Sequence, residues 1–373
     1  MIYNFDEPID RWESDSGKWH YHGEGVIPMW VADMDFVSPQ PVVQALQERA
    51  AHGVFGYPLG ASDEPKHSME MRRVIVERLE RLYAWQVQPD EIVFLPGVVT
   101  AFNLACHALA EPGGGVVLQP PVYHPMLHAP GHAGMQCQEA PLTRRPDGTY
   151  EIDFDAFEAA FSDRTRLFLL CNPHNPVGRV FRRDELLRMA DVCLRKGVPI
   201  CSDEIHCDLL FSGYRHHPIA SLDPEIARQT ITLMAPSKTF NLAGLQFSFA
   251  IIQNPDLRKQ YQEATKGLVG WVNLMGWVAA LAAYCHGQEW LDQLLLYLEG
   301  NRDTLYDYVK ENLPGVRMSK PQGTYLAWLD CRELGIDGSP CEFFLQRAQV
   351  AFNDGAIFGT GGEGFVRLNF GCR

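Results

Sequence analysis

The chain has 373 residues, a formal net charge of −14, 46% hydrophobic residues and 21% charged ones. This length can bury a large core and suits one large domain joined to a smaller one, and the composition is that of a globular chain, not a disordered one. The acidic balance argues against a nucleic-acid partner, which would want a basic face, so an anionic ligand has to be held by local donors.

Residues 1–37 are irregular and rich in aromatics (Trp12, Trp19, Tyr21, Trp30), and read as an arm that packs onto another part of the fold. The opening stretch Met1–Glu7 has neither a basic nor an apolar run, so no signal peptide is expected. Apolar spacing predicts helices over Pro41–His52 and Glu64–Ala84. Strands and helices then alternate. Strands are predicted at Ile92–Leu95, Gly115–Gln119, Leu167–Cys171, Val198–Ser202, Thr230–Met234 and Phe247–Ile252. Helices are predicted at Val98–Ala110, Phe154–Phe161 and Arg183–Lys196. Such alternation implies an α/β domain, here residues 38–284, with a mostly parallel central sheet flanked by helices. Ligands of such sheets bind beyond the carboxyl ends of the strands.

From Pro255 to Asn312 the pattern is helical. Within it, Leu268–Cys285 carries no formal charge, but Gly270, Asn273 and Gly276 interrupt it and its two ends lack the aromatic-belt and basic-anchor pattern of a membrane span. It reads as a buried helix or a subunit interface, and no membrane partner is expected. Strands near Val316, Thr324–Leu329 and Phe365–Phe370, with a helix over Pro340–Ala348, make residues 285–373 a smaller α+β domain that the N-terminal arm would join. Ten cysteines are present without a Cys-x-x-Cys pair, mostly in apolar runs (Cys106, Cys171, Cys201, Cys207, Cys285). They read as buried free thiols in the reducing cytoplasm.

Three polar residues stand at or just past the ends of apolar runs: Asn175 in Asn172-Pro173-His174-Asn175-Pro176, Asp203 in Cys201-Ser202-Asp203-Glu204, and Lys238 in Pro236-Ser237-Lys238-Thr239. Singly, each has a plain reading as a turn residue, a helix cap or a solvated charge. As an ordered set at strand ends they point to one shared site. With Met29-Trp30-Val31-Ala32-Asp33-Met34-Asp35-Phe36 and Ser237-Lys238-Thr239-Phe240-Asn241-Leu242-Ala243-Gly244-Leu245, the chain resembles the aspartate-aminotransferase superfamily of fold-type I pyridoxal phosphate enzymes. Within it, the likeness is to the cystathionine β-lyase (C–S lyase) branch.

That resemblance implies a role for each residue. The Lys238 amine would bond to the pyridoxal 5′-phosphate aldehyde and move protons at the substrate α-carbon. Asp203 would face the pyridine nitrogen, Asn175 would donate to the phenolic oxygen, and Tyr123 would stack on the ring. The turn Pro96-Gly97-Val98-Val99-Thr100, between a strand and a helix, would offer N–H groups to the phosphate, with Ser237 adding a hydroxyl. Alone, this turn reads as an ordinary strand–helix connection.

Tyr57 matches a tyrosine that reaches the neighbouring subunit's phosphate, which implies a homodimer with shared active sites. A core aromatic is the plain alternative. Arg367, mid-strand in Gly364–Phe370, would clamp the α-carboxylate of an amino-acid substrate, unless it is an edge residue facing water. Ala32 and Asp33 would lie near the same pocket.

Three positions depart from the aminotransferase pattern. His206 stands where aminotransferases often carry Tyr, as in the lyase branch, and would contact the cofactor or support Asp203. Ala235 and Gln246 replace a frequent Ser and Arg, which implies fewer charged contacts to the phosphate. No metal is expected: His124, His128 and His132 are four apart, but Pro125 and Pro130 argue against a helix there and no acidic or thiol ligand completes a set. The expected activity is α,β-elimination from cysteine S-conjugates, with transamination as the alternative and an idle regulatory fold as a third.

Overall fold

The computed structural model describes residues 1–56 and 66–373. Tyr57 lies outside the described residues. Seven strands form the main sheet: β1 (Ile92–Leu95), β2 (Gly115–Leu118), β3 (Gln136–Glu139), β4 (Thr165–Cys171), β5 (Ile200–Asp203), β6 (Thr230–Met234) and β7 (Ser248–Ile251). Their order is β1-β7-β6-β5-β4-β2-β3. All the pairings are parallel except those of β7, which runs against both β1 and β6. Strands β2, β4, β5 and β6 are buried nearly end to end, as expected for a sheet covered on both faces, whereas the edge strand β3 is mostly exposed.

Helices cover that sheet: α1 (Gln40–Ala51), α2 (Lys66–Tyr83), α3 (Val98–Ala108), α4 (His124–His132), α5 (Arg183–Lys196), α6 (Pro255–Thr265) and α7 (Leu274–His286). In α5, Leu186, Met189, Ala190 and Cys193 make one buried stripe. Glu185 returns to the Arg182 N–H at its start, and Gly197, at φ 63°, ends it in the left-handed conformation.

Helix α4 corrects the expectation that prolines break this stretch. Pro125 is its second residue, where the missing N–H had no intrahelical partner, and Pro130 falls in the last turn, so little of the helix ladder is lost. His132 there bonds Asn103 at 2.9 Å, and no metal-binding cluster occurs among the described residues.

The uncharged region 268–285 divides, and Cys285 at its end is exposed, not buried as expected. Residues 274–286 form α7, which buries Gly276, Ala279, Ala280, Ala282 and Ala283, whereas Leu268 and Trp271 are 71% and 62% exposed. No described helix is long and apolar enough to cross a membrane.

A long helix α8 (Gln288–Asn312) leads to a four-stranded antiparallel sheet of β8 (Arg317–Met318), β9 (Leu326–Asp330), β10 (Asn353–Asp354) and β11 (Phe365–Asn369), in the order β8-β9-β11-β10, with helix α9 (Pro340–Ala348) beside it. Arg367 therefore sits on an interior strand, paired across to Trp328 and Asn353. It is 3% exposed, which removes the water-facing alternative. The N-terminal arm joins this unit: Ile27–Pro28 pairs in parallel with Val350–Ala351.

Candidate active site

The ends of β1, β4, β5 and β6 meet at one cavity of about 290 Å³. Its walls include Ala32, Gly97, Val98, Val99, Tyr123, Asn175, Asp203, His206, Ser237 and Lys238, with Thr100, Cys171, Ile205, Gln246 and Phe247. Register explains part of this convergence. Cys171, Asp203 and Leu233 lie side by side across β4, β5 and β6, so segments leaving those strands open onto the same edge.

The Lys238 Nζ donates to the Ala32 carbonyl at 2.7 Å. Burial brings its pKa down to about 8 and the Arg367 charge adds to the fall, against Asp33 and Asp203, so a neutral amine is accessible near neutral pH. Asp203 is buried with a single hydrogen bond, from the Ile205 N–H at 3.1 Å. Burial raises its pKa to about 7, opposed by that N–H. Such a carboxylate is matched by a cationic N–H placed in the cavity.

Asn175 Oδ1 accepts from Arg367 Nη1 at 3.1 Å, which leaves the amide Nδ2 as the donor for a ligand. Arg367 also donates to Trp30 O at 2.9 Å and to Asn353 Oδ1, and its Nε is buried without a partner. Its acceptors are all neutral. Burial lowers its pKa to about 10, Tyr123 and Tyr325 opposing, so it remains a cation at neutral pH. A buried guanidinium among neutral acceptors is suited to an incoming carboxylate. His206 is buried, and its Nδ1 has no partner. Burial, then Lys238 and Arg367, lowers its pKa to about 3, so it is neutral. The Tyr123 hydroxyl is held above its usual range, chiefly by burial.

At the start of α3 the geometry refines the anion turn. The Gly97 N–H is taken by Ser248 Oγ at 3.1 Å, so the first-turn N–H groups of Val98, Val99 and Thr100 remain for an anion. Gly97, at φ 104° and ψ 149°, holds a conformation that side-chain-bearing residues rarely adopt. Gln246 is on the cavity wall and offers an amide in place of a charge. Ala235 is 2% exposed in the core and does not line the cavity.

Asp33 acts on the Lys238 amine from beside the cavity, not from its wall. Its carboxylate bonds Arg11 at 3.2 Å and lies 3.5 Å from Lys18, and its side chain does not line the cavity. Two cations on the arm itself claim it, and the arm presents Ala32 through the backbone. Sequence reasoning missed Tyr325, whose hydroxyl donates to the Ala32 carbonyl at 2.9 Å, and Asn369, whose amide donates to both Val31 O and Asp33 O. It also missed Asn241, three residues past Lys238, which grips Met34 and Phe36 of the arm. Asn241 lies inside the Ser237–Leu245 motif, but nothing in the local sequence reveals the partners of these residues, which are distant backbone groups.

A family model for aminotransferase class I and II matches residues 25–373. The chain belongs to the aminotransferase class I and II family. Cystathionine beta-lyase PatB of Bacillus subtilis (strain 168) is 41% identical over 377 residues, covering 99% of this chain and 95% of that protein. Among solved structures, cystalysin from Treponema denticola, which contains a pyridoxal 5′-phosphate cofactor, superposes with a TM-score of 0.93 at 34% identity, covering 100% of this chain and 95% of that one. A PLP-bound C–S lyase from Staphylococcus hominis superposes with a TM-score of 0.91 at 34% identity, covering 99% and 95%.

The site of this class I and II aminotransferase-family chain fits the pyridoxal phosphate that those structures hold. It has an amine of lowered pKa, a buried carboxylate short of partners, an unpartnered His206 nitrogen and open helix N–H groups in one cavity.

The Asp203 carboxylate makes a prediction about the cofactor-free chain. Its unfolded pKa is about 3.9 and its folded pKa about 7, so the folded state binds the extra proton between them and stability falls as pH rises through that window. Asp203→Asn should raise the thermal midpoint of the cofactor-free protein at pH 8 by about 2–4 °C and leave it nearly unchanged at pH 4. Calorimetry at the two pH values checks this. Equal shifts at both would show that the carboxylate is not strained by burial.

Proposed function

We propose that the protein is a pyridoxal phosphate-dependent C–S β-lyase, cleaving L-cystathionine, L-cysteine or related cysteine S-conjugates to a thiol, pyruvate and ammonia. One observation carries the reading: a partly buried, easily neutralised Lys238 amine shares a cavity with Asp203 and Asn175, and Asn175 is hydrogen-bonded to the Arg367 guanidinium. The full-length similarity to relatives called cystathionine beta-lyase and C–S lyase supports the choice of reaction.

When bound, pyridoxal phosphate supplies an aldehyde for an amine and an electron-withdrawing ring. Arg367 takes the substrate α-carboxylate through two parallel N–H bonds and fixes the α-carbon near Lys238. Asp203 would hold a proton on the ring nitrogen, and the Asn175 amide would donate to the phenolic oxygen. Tyr123 would pack against the ring, and Val98, Val99, Thr100 and Ser237 would seat the phosphate. The Lys238 amine removes the α-proton. The released electron pair forms the Cα–Cβ double bond as the Cβ–S bond breaks, and Lys238 or Tyr123 returns a proton to the departing sulfur; the aminoacrylate left takes up one water and gives pyruvate and ammonia. His206, neutral and buried, supports Asp203 and the ring without adding charge.

The active unit is a homodimer in this reading, in the cytoplasm. Val99 lines the cavity yet is 43% exposed, and Val54, Phe55, Leu268 and Trp271 expose further apolar surface that a second copy would cover. All ten cysteines are unpaired, as a reducing compartment allows. Light scattering tests the dimer.

Transamination is the second reading, favoured by a relative named as a probable N-succinyldiaminopimelate aminotransferase, 30% identical over 84% of this chain. It uses the same proton abstraction but returns the proton to the cofactor. Assaying free thiol from L-cystathionine separates the two: steady release over many turnovers supports elimination, and none would reject it.

A further inference from the structure

The arm crosses the site with its backbone carbonyls turned to donors. Arg367 holds Trp30 O, and Asn369 holds Val31 O and Asp33 O. Between them, the Ala32 carbonyl accepts from both the Lys238 amine at 2.7 Å and the Tyr325 hydroxyl at 2.9 Å. Tyr325 is 1% exposed, directly precedes β9, and meets His206 edge-on at 6.1 Å.

We propose that Tyr325 is a positioning residue for Lys238: by sharing the Ala32 carbonyl, its hydroxyl sets where the amine rests and lets the amine leave as a neutral base. This rests on the reading of Lys238 as the reactive amine.

A carbonyl oxygen accepts through two lone pairs and donates nothing, so it favours ammonium over amine. A hydroxyl on the second lone pair draws on the same dipole and weakens that preference. It also keeps the carbonyl satisfied when Lys238 swings away, which removes the cost of leaving a buried acceptor bare. Burial keeps the Tyr325 hydroxyl well above its ordinary range, so it remains a donor at working pH. The other groups that bear on the Lys238 amine are Asp33 on the arm, Asp203 at the end of β5, His206 beyond it and Arg367 in β11. Tyr123 lies on the same cavity wall ahead of α4. Tyr325→Phe removes one oxygen and alters none of these groups. Lys238 still satisfies Ala32 in the variant, so folding is retained.

The test strips cofactor from the full-length protein and follows recapture of pyridoxal 5′-phosphate by absorbance as pH is raised. Borohydride reduction and peptide mass then locate the label. The wild-type rate should rise with a midpoint near 8. In Tyr325→Phe the midpoint should move up by about half a unit to one unit, with capture below it slowed roughly three- to tenfold. An unchanged midpoint with Lys238 still labelled would overturn the proposal, even if the variant melts earlier, since that is what a merely structural tyrosine would do. Label on some other lysine in both proteins would instead overturn the reading of Lys238.

Discussion

Lys238→Ala is expected to lower thiol release by at least about 10⁴-fold, the upper range for loss of a positioned acid–base group, and to leave a protein that no longer holds cofactor covalently. The partly buried amine has a pKa near 8 and sits 2.7 Å from the Ala32 carbonyl, and an alanine side chain offers no base in its place. The substitution should spare the fold. Tyr325 continues to satisfy the Ala32 carbonyl, and a buried cation is removed, not stranded. Rate, absorbance spectrum and thermal midpoint should be measured together. Residual activity within tenfold of wild type in a folded variant would remove Lys238 from the chemistry.

Arg367→Lys is expected to raise KM for the amino-acid substrate by roughly 10- to 150-fold, with a smaller change in kcat. A guanidinium can meet a carboxylate with two parallel N–H bonds, whereas an ammonium is a point charge. Losing one charge-assisted hydrogen bond costs about 1.5–3 kcal/mol, which corresponds to that range. Arg367 also supports Asn175 Oδ1, Trp30 O and Asn353 Oδ1, so the substitution should loosen the arm and lower the thermal midpoint as well. Amines lacking the carboxylate separate the two roles: their weak reaction should be nearly the same in both proteins. A fall in kcat at unchanged KM would move Arg367 from substrate binding to chemistry.

The legible part of the site was the part carried by strands. Asn175, Asp203 and Lys238 follow continuous apolar runs, and parallel register alone brings their segments to one edge. Arg367 was legible because a charge between Val366 and Leu368 needs a buried partner. What stayed hidden were contacts made by backbone atoms across the fold. Nothing near Tyr325 in sequence announces a carbonyl 293 residues away, and nothing near Gly97 reveals that Ser248 occupies its N–H. The ion pairs of Asp33 stayed hidden because its partners, Arg11 and Lys18, lie in an arm without periodicity. The α4 helix was missed by weighing prolines without their position, since Pro125 falls where the helix has no bond to lose.

The central claim is elimination at this cavity, and pyruvate tests it most directly. The purified protein is given L-cystathionine with no 2-oxo acid, and pyruvate is followed against enzyme concentration. Elimination predicts linear formation over many turnovers, together with an equal amount of thiol. No pyruvate and no thiol, with the 2-oxo acid of cystathionine itself formed only up to the enzyme concentration until 2-oxoglutarate is added, would contradict it and assign the chain to transamination.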